Sequence, residues 1–213
     1  MTVTPASPPA PHTSGPWLAL TPAGALFAFS QAQPTPEQAG LQTVLAAHRL
    51  PAAAAWAAGH SGRSALQAHA LAQGWLQEVG RDLRAPDIRL ADFLPHVISG
   101  LSGERQAALS SSGGFCVAHT GCDRDEAEAL CAAADFSAFV RRQRARGWQG
   151  ASGLASFHND VLMLIPSVSF VPFWVDGVDY CLVLGGEPLT NNIALVELIW
   201  SIKSAAFRFT AQE

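Results

Sequence analysis

Apolar and polar positions alternate in short segments over the first 80 or so residues and in longer, sharper ones beyond them. Trp17 to Leu20 and Ala25 to Phe29 are apolar runs on either side of Thr21-Pro22-Ala23-Gly24. Proline at the second turn position and glycine at the fourth suit a type I turn, so this stretch is predicted as a β-hairpin. Pro34-Thr35-Pro36 predicts a helix start, with Thr35 as cap and Pro36 at the first helical position. Leu41, Val44, Leu45 and His48 supply its face, and Pro51 breaks it. Ala52 to Ala58 reads as a second short helix ended by Gly59. Ser61 or Ser64 can cap a third, facing inward through Leu66, Ala70, Leu71 and Trp75.

Charges cluster around Pro86, from Arg81 to Asp87, and mark a boundary. Beyond it, Asp92 is expected to cap a helix that holds Pro95 in its first turn and carries a stripe of Phe93, Leu94, Val97, Ile98 and Leu101. Gln106 to Ser110 and Phe115 to His119 are strand-like, joined by the turn Ser111-Ser112-Gly113-Gly114. Asp123 to Trp148 is the longest helical pattern. It opens on Asp123, Asp125, Glu126 and Glu128 and closes on Arg141, Arg142, Arg144 and Arg146, which complements the helix dipole; Gly147 stops it. Ala127, Leu130, Cys131, Ala134 and Ala138 give it a narrow face of small residues. Gly153 to His158, Val161 to Pro166 and Val178 to Leu184 read as strands, the first two flanking the turn pair Asn159-Asp160. Ser167 to Val175 is also extended, and Pro172 confines it to an edge or a bulge. Val161 to Ile165 is apolar at every position, so both faces of that strand are expected to be covered. Pro188 and Thr190 introduce a last helix through Phe207.

Composition narrows the function classes. Apolar residues make up 49% of the 213 and charged ones only 14%, which excludes wholesale disorder. No apolar run approaches the roughly 20 residues that span a bilayer. A net charge of −4 argues against a nucleic-acid footprint. The stretch from residue 151 onward is both apolar and acidic, with Lys203 and Arg208 its only bases. So little charge on so small a chain leads us to expect that a partner covers part of its surface. Residues 1–16 are Pro/Ser/Thr/Ala-rich, with neither the basic start nor the apolar core of a secretory signal, and are expected to form a flexible tail. Cys116, Cys122, Cys131 and Cys181 match no zinc or Cys-x-x-Cys spacing, which favours reduced thiols and a cytoplasmic location.

From residue 88 to 207 the predicted order is helix, two strands, long helix, three strands, helix. That order resembles the roadblock (dynein light-chain) family, an αββαβββα domain related to longin and profilin-like folds. The stretch carrying the resemblance is Arg105-Gln106-Ala107-Ala108-Leu109, then Gly113-Gly114-Phe115-Cys116-Val117-Ala118 and Gly121. An acidic-start, alanine-rich helix follows at Asp125-Glu126-Ala127-Glu128-Ala129-Leu130, and Asp179-Tyr180-Cys181-Leu182-Val183-Leu184 resembles the late core strand. The resemblance implies an α+β fold: a roadblock-like domain over 86–213, with a five-stranded antiparallel sheet flanked by helices. A hairpin-and-helices extension over 17–85 precedes it. The resemblance also implies a non-catalytic, homodimeric adaptor that binds another protein, with a small Ras-like GTPase as the candidate partner.

The candidate residues follow from that reading. Ala127, Leu130, Cys131, Ala134 and Ala138 are expected at a dimer interface. Arg141, Arg142 and Arg146, and the aromatics Phe170, Phe173 and Trp174 around Pro172, are candidates for partner binding; the plainer readings are a solvated helix end and ordinary core. His119, Cys122 and His158 lack the further ligands of a metal site. Gly59-His60-Ser61-Gly62-Arg63 lacks the last glycine of a nucleophile elbow and the strand before it. No catalytic, metal or cofactor residue is therefore expected. Two other readings stay open: a PAS- or GAF-like sensor, which needs a closed pocket of several hundred Å3 inside its sheet, and a Cys- or Ser-dependent hydrolase, which needs His119 or His60 beside a nucleophile.

Overall fold

Thr21 and Pro22 begin a helix, not the turn that the sequence suggests. In the computed structural model, which describes residues 15–145, 155–157, 162 and 164–210, strand β1 (Trp17–Leu20) runs directly into helix α1 (Pro22–Ala28). The side chain of Thr21 accepts a hydrogen bond from the amide of Gly24, and Pro22 stands at the first helical position, where its missing N–H costs nothing. The expected hairpin is thus replaced by a strand and a helix. The partner of β1 is β2 (Leu76–Val79), antiparallel from Trp17 opposite Val79 to Leu20 opposite Leu76. Side chains within 136–145, 155–157 and 206–210 lie outside the described residues.

The predicted helix at Pro36 forms as α2 (Pro36–Gln42). Thr35 and Gln38 build a reciprocal capping box, and the buried Gln38 amide also donates to the carbonyl of Phe27 and the hydroxyl of Ser30. The chain tightens into a turn of 3-10 helix at Thr43–Leu45, which changes the phase of the pattern. Leu41, Val44 and Leu45 are consequently buried, while His48 is left exposed. Helix α3 (Ala53–Ala58) ends at Gly59 as expected. Helix α4 (Arg63–Ala72) is capped by Gly62 at φ +87°, a conformation that neither Ser61 nor Ser64 would adopt without strain.

Helix α5 (Leu90–Ser99) starts ahead of Asp92, so Asp92 sits in the first turn and pairs with Arg89 at 2.8 Å instead of capping. Pro95 accordingly falls inside the helix. Strands β3 (Ala107–Ser111) and β4 (Phe115–Thr120) form the predicted hairpin. Helix α6 (Arg124–Ala145) follows, its first turn anchored by the Asp123 carboxylate accepting from the Glu126 amide at 2.8 Å. Then come β5 (Ala155–Phe157), β6 (Val168–Val175), β7 (Val178–Gly185) and helix α7 (Ala194–Thr210). Asn192, accepting from the Ala194 amide at 3.0 Å, sets the α7 start later than Pro188 and Thr190 suggest.

The second sheet is antiparallel in the order β4-β3-β7-β6, with the three-residue β5 on the far edge of β6. Pro172 fits because β5 reaches only as far as Phe170. The Trp174 amide points away from β7, to the carbonyl of Phe29 at 2.9 Å, and the Pro172 nitrogen shares that direction, where no ladder bond is lost. The apolar stretch before β6 does not become a doubly covered strand. Leu162, Leu164 and Ile165 are exposed and belong to no strand; Val161 and Met163 lie outside the described residues.

One apolar core runs from Leu18 to Ile202, through α1 to α5, one face of the second sheet and α7. Residues 17–85 are joined to the later elements by the Trp174–Phe29 bond and by the Trp200 indole donating to the carbonyl of Ala47 at 2.8 Å. The other sheet face is covered by α6. No helix among the described residues is long and apolar enough to cross a membrane.

Gly24 tests this arrangement, since a Cβ there would lie 2.0 Å from the carbonyl oxygen of Trp75. Alanine is the better helix former by about 1 kcal/mol. The backbone clash should outweigh that, so Gly24→Ala is expected to lose about 2 kcal/mol or more in urea unfolding; a stabilised variant would place α1 elsewhere.

Candidate functional site: a thiol seam beside an open sheet edge

The small residues of α6 meet the sheet of the same chain. Ala127, Cys131 and Ala134 are buried against Ala108, Phe170, Cys181 and Val183, with Leu130 partly buried beside them. This corrects the expectation of a dimer interface for Ala127, Cys131 and Ala134: small side chains bring α6 close to its own sheet, which buries these three. The Ala138 side chain lies outside the described residues. So do the side chains of Arg141 and Arg142, whose backbone belongs to α6, and the whole of Arg146 and His158.

The aromatics around Pro172 separate by strand parity. Phe170 is buried beneath α6, Phe173 is buried on the opposite face and stacks on Tyr180 with ring centroids 5.4 Å apart, and Trp174 is half-buried. Phe170 and Phe173 are therefore core, not a docking patch.

All four cysteines gather along the seam between α6 and the sheet. Ser110 on β3 stands opposite Cys116 on β4 and opposite Cys181 on β7, so the two cysteines flank it on one face. Cys131 lies over that row, and Cys122 closes the seam before α6 begins. Burial, and then the neighbouring Cys116, push the Cys131 thiol from an ordinary 9.0 up to about 12. Burial and Glu126 raise Cys122 as well. The residues are free thiols, and no group of three or more metal-ligating side chains suited to a metal ion occurs among the described residues.

Next to the seam, β4 is the terminal strand of its sheet. Phe115 is 73% exposed and Val117 43%, on either side of Cys116. A register shift between Leu109 and Ser110 makes Val117 the extra residue of a β-bulge, which turns its side chain outward. Sequence reading put Phe115 and Val117 on a strand but had no means of telling that this strand ends the sheet.

The groups named by the other two readings fall as follows: His119 stands opposite Ala108, on the sheet face that α6 covers. His119 Nδ1 is buried without a hydrogen-bond partner, and His60 and Ser61 occupy an exposed turn. A groove of about 660 Å3 lies between α2 and α4, lined by Glu37, His60, Arg63 and His69 among others, away from the second sheet. In it Glu37 and His69 pair at 3.5 Å, and the Arg63 guanidinium stacks 5.3 Å from the Trp56 ring centre. Against the sheet, the cavity beside Ser110, Ala134 and Cys181 measures only about 10 Å3.

No protein-family model, curated protein or solved structure matches the chain.

The raised Cys131 thiol gives a pH dependence of known sign. The folded chain holds this proton to about 12, whereas an ordinary thiol releases it near 9.0. Its stabilising contribution is complete below the lower value and is lost as the pH climbs toward the upper, at most about 1.4 kcal/mol per pH unit. Cys131→Ala should therefore lose less stability than the unmodified chain between about pH 8.5 and 10.5, measured as urea midpoints. Equal slopes would contradict a buried, neutral thiol.

Proposed function

We propose that the chain is a non-catalytic adaptor that pairs with a second copy and with another protein through the open edge of its second sheet. The exposure of Phe115 and Val117 on the terminal strand β4 carries this reading. An unpaired strand offers a row of backbone donors and acceptors to an incoming strand, and apolar side chains beside it supply the area that such addition buries. Exposed Leu162, Leu164 and Ile165 add apolar surface elsewhere. The succession α5, β3, β4, α6, β5, β6, β7, α7 supports the roadblock-type resemblance, since helix–two strands–helix–three strands–helix is the order it implies. On that resemblance the second partner is a small Ras-like GTPase.

The reading moves the dimer contact from the buried side of α6 to β4. Sedimentation at micromolar concentration should give a dimer for the unmodified chain. The double change Phe115→Asp and Val117→Lys should weaken it at least tenfold while leaving the unfolding midpoint nearly unchanged, because both side chains already face solvent. A strict monomer, or a dimer indifferent to both charges, would sink the proposal for this edge. The GTPase link is checked separately, by recovery of a GTP-binding protein on immobilised chain and its loss with the double variant.

A further inference from the structure

We infer that Cys116 and Cys131 are a disulfide-forming pair, so that the seam between α6 and β4 is an oxidative modification site. This inference does not depend on the adaptor reading. Cross-strand register places Cys116 on the sheet face that α6 covers, because Cys116 and Cys181 both stand opposite Ser110 and Cys181 belongs to the cluster beneath that helix. The helix backbone comes down close to the same strand. A Cβ on Gly114 would lie 3.2 Å from the Cys131 carbonyl oxygen and 3.3 Å from Cα of Ala132, and Cys116 stands just beyond Gly114. Cys116 packs against the buried cluster that holds Cys131. A disulfide needs Cα atoms about 4.4 to 6.8 Å apart, and the small residues of this seam bring helix and strand close together.

The two thiols differ in access. Cys131 and Cys181 are buried, whereas Cys116 is half-buried on an edge strand. Reagent therefore meets Cys116 first, and Cys131 is the sulfur waiting behind it. With hydrogen peroxide as oxidant, the Cys116 thiolate attacks one peroxide oxygen and the O–O bond breaks; the other oxygen leaves as hydroxide, which the thiol proton converts to water. The resulting sulfenic acid is attacked by the Cys131 sulfur. The S–S bond forms as the S–O bond breaks, and the Cys131 proton leaves with hydroxide as a second water. Two thiols give up two electrons and two protons, and one peroxide becomes two waters. A dithiol reverses the change by exchange.

The test is peptide mapping of the full chain after titration with hydrogen peroxide and non-reducing digestion at arginine. Residues 106–124 should be recovered joined to residues 125–141, lighter by two hydrogens and separable with dithiothreitol. Because Cys122 shares the first peptide, the link should persist in Cys122→Ser and in Cys181→Ser and disappear in Cys116→Ser. Closing a loop of about 15 residues should also raise the melting temperature by about 6 to 12 °C. A link that survives Cys116→Ser, a link to Cys181, or sulfinic acid at Cys116 with no cross-link would each overturn the inference. Fragmenting the joined peptide of the unmodified chain between Cys116 and Cys122 assigns the link even where a variant fails to fold.

Discussion

An α-helix buried on nearly every side has to be enclosed, and the other elements are arranged to enclose α7. From Leu195 to Ser204 nearly every position is buried, including Trp200, Ser201 and Lys203. A sheet covers one side of such a helix and α5 a second. The remaining side falls to the first third of the chain, whose α1 lies against α7 and whose Ala47 carbonyl receives the Trp200 indole proton. The segment before residue 85 thus works as the third wall of a shared core. Burial of the helix on that scale is a large favourable contribution, since each fully enclosed large aliphatic side chain is worth about 1.5–3 kcal/mol.

The two faces of the second sheet are packed by different means. Leu, Val and Phe side chains fill the α5–α7 side. On the α6 side alanines and thiols pack around Phe170 and Val183, and the helix backbone comes close to the strand at Gly114. Close approach holds chemistry together that spacing along the chain does not. Cys116, Cys131 and Cys181 have no motif in common, yet one register row and one helical turn bring them to the same place.

Local signals were the legible ones. The Thr35 cap with Pro36 behind it, the Gly59 stop, the β3–β4 hairpin and the acidic opening of α6 are all read correctly from neighbours a few residues apart. Thr21-Pro22 was ambiguous, because threonine followed by proline suits a turn and a helix cap equally well; the choice is made by Trp75, whose carbonyl receives the Thr21 amide from across the fold. Strand β2 was missed for the same reason, its partner being β1 at the far end of the segment. The candidate site was the least legible part. Exposure of Phe115 and burial of Phe170 depend on where each strand stands in the sheet, which is fixed by long-range pairing and not by either residue's surroundings in sequence.

Lys203 is the only lysine in the chain, and its ammonium is buried on α7 in an ion pair with Asp176 at the β6–β7 turn. Acylating dyes, amine-directed cross-linkers and lysine-conjugating enzymes thus find a single side-chain amine, and they reach it only when the last helix loosens. Labelling at that position reports opening of the core instead of surface accessibility, which makes the residue a built-in gauge of how often α7 comes away from its walls.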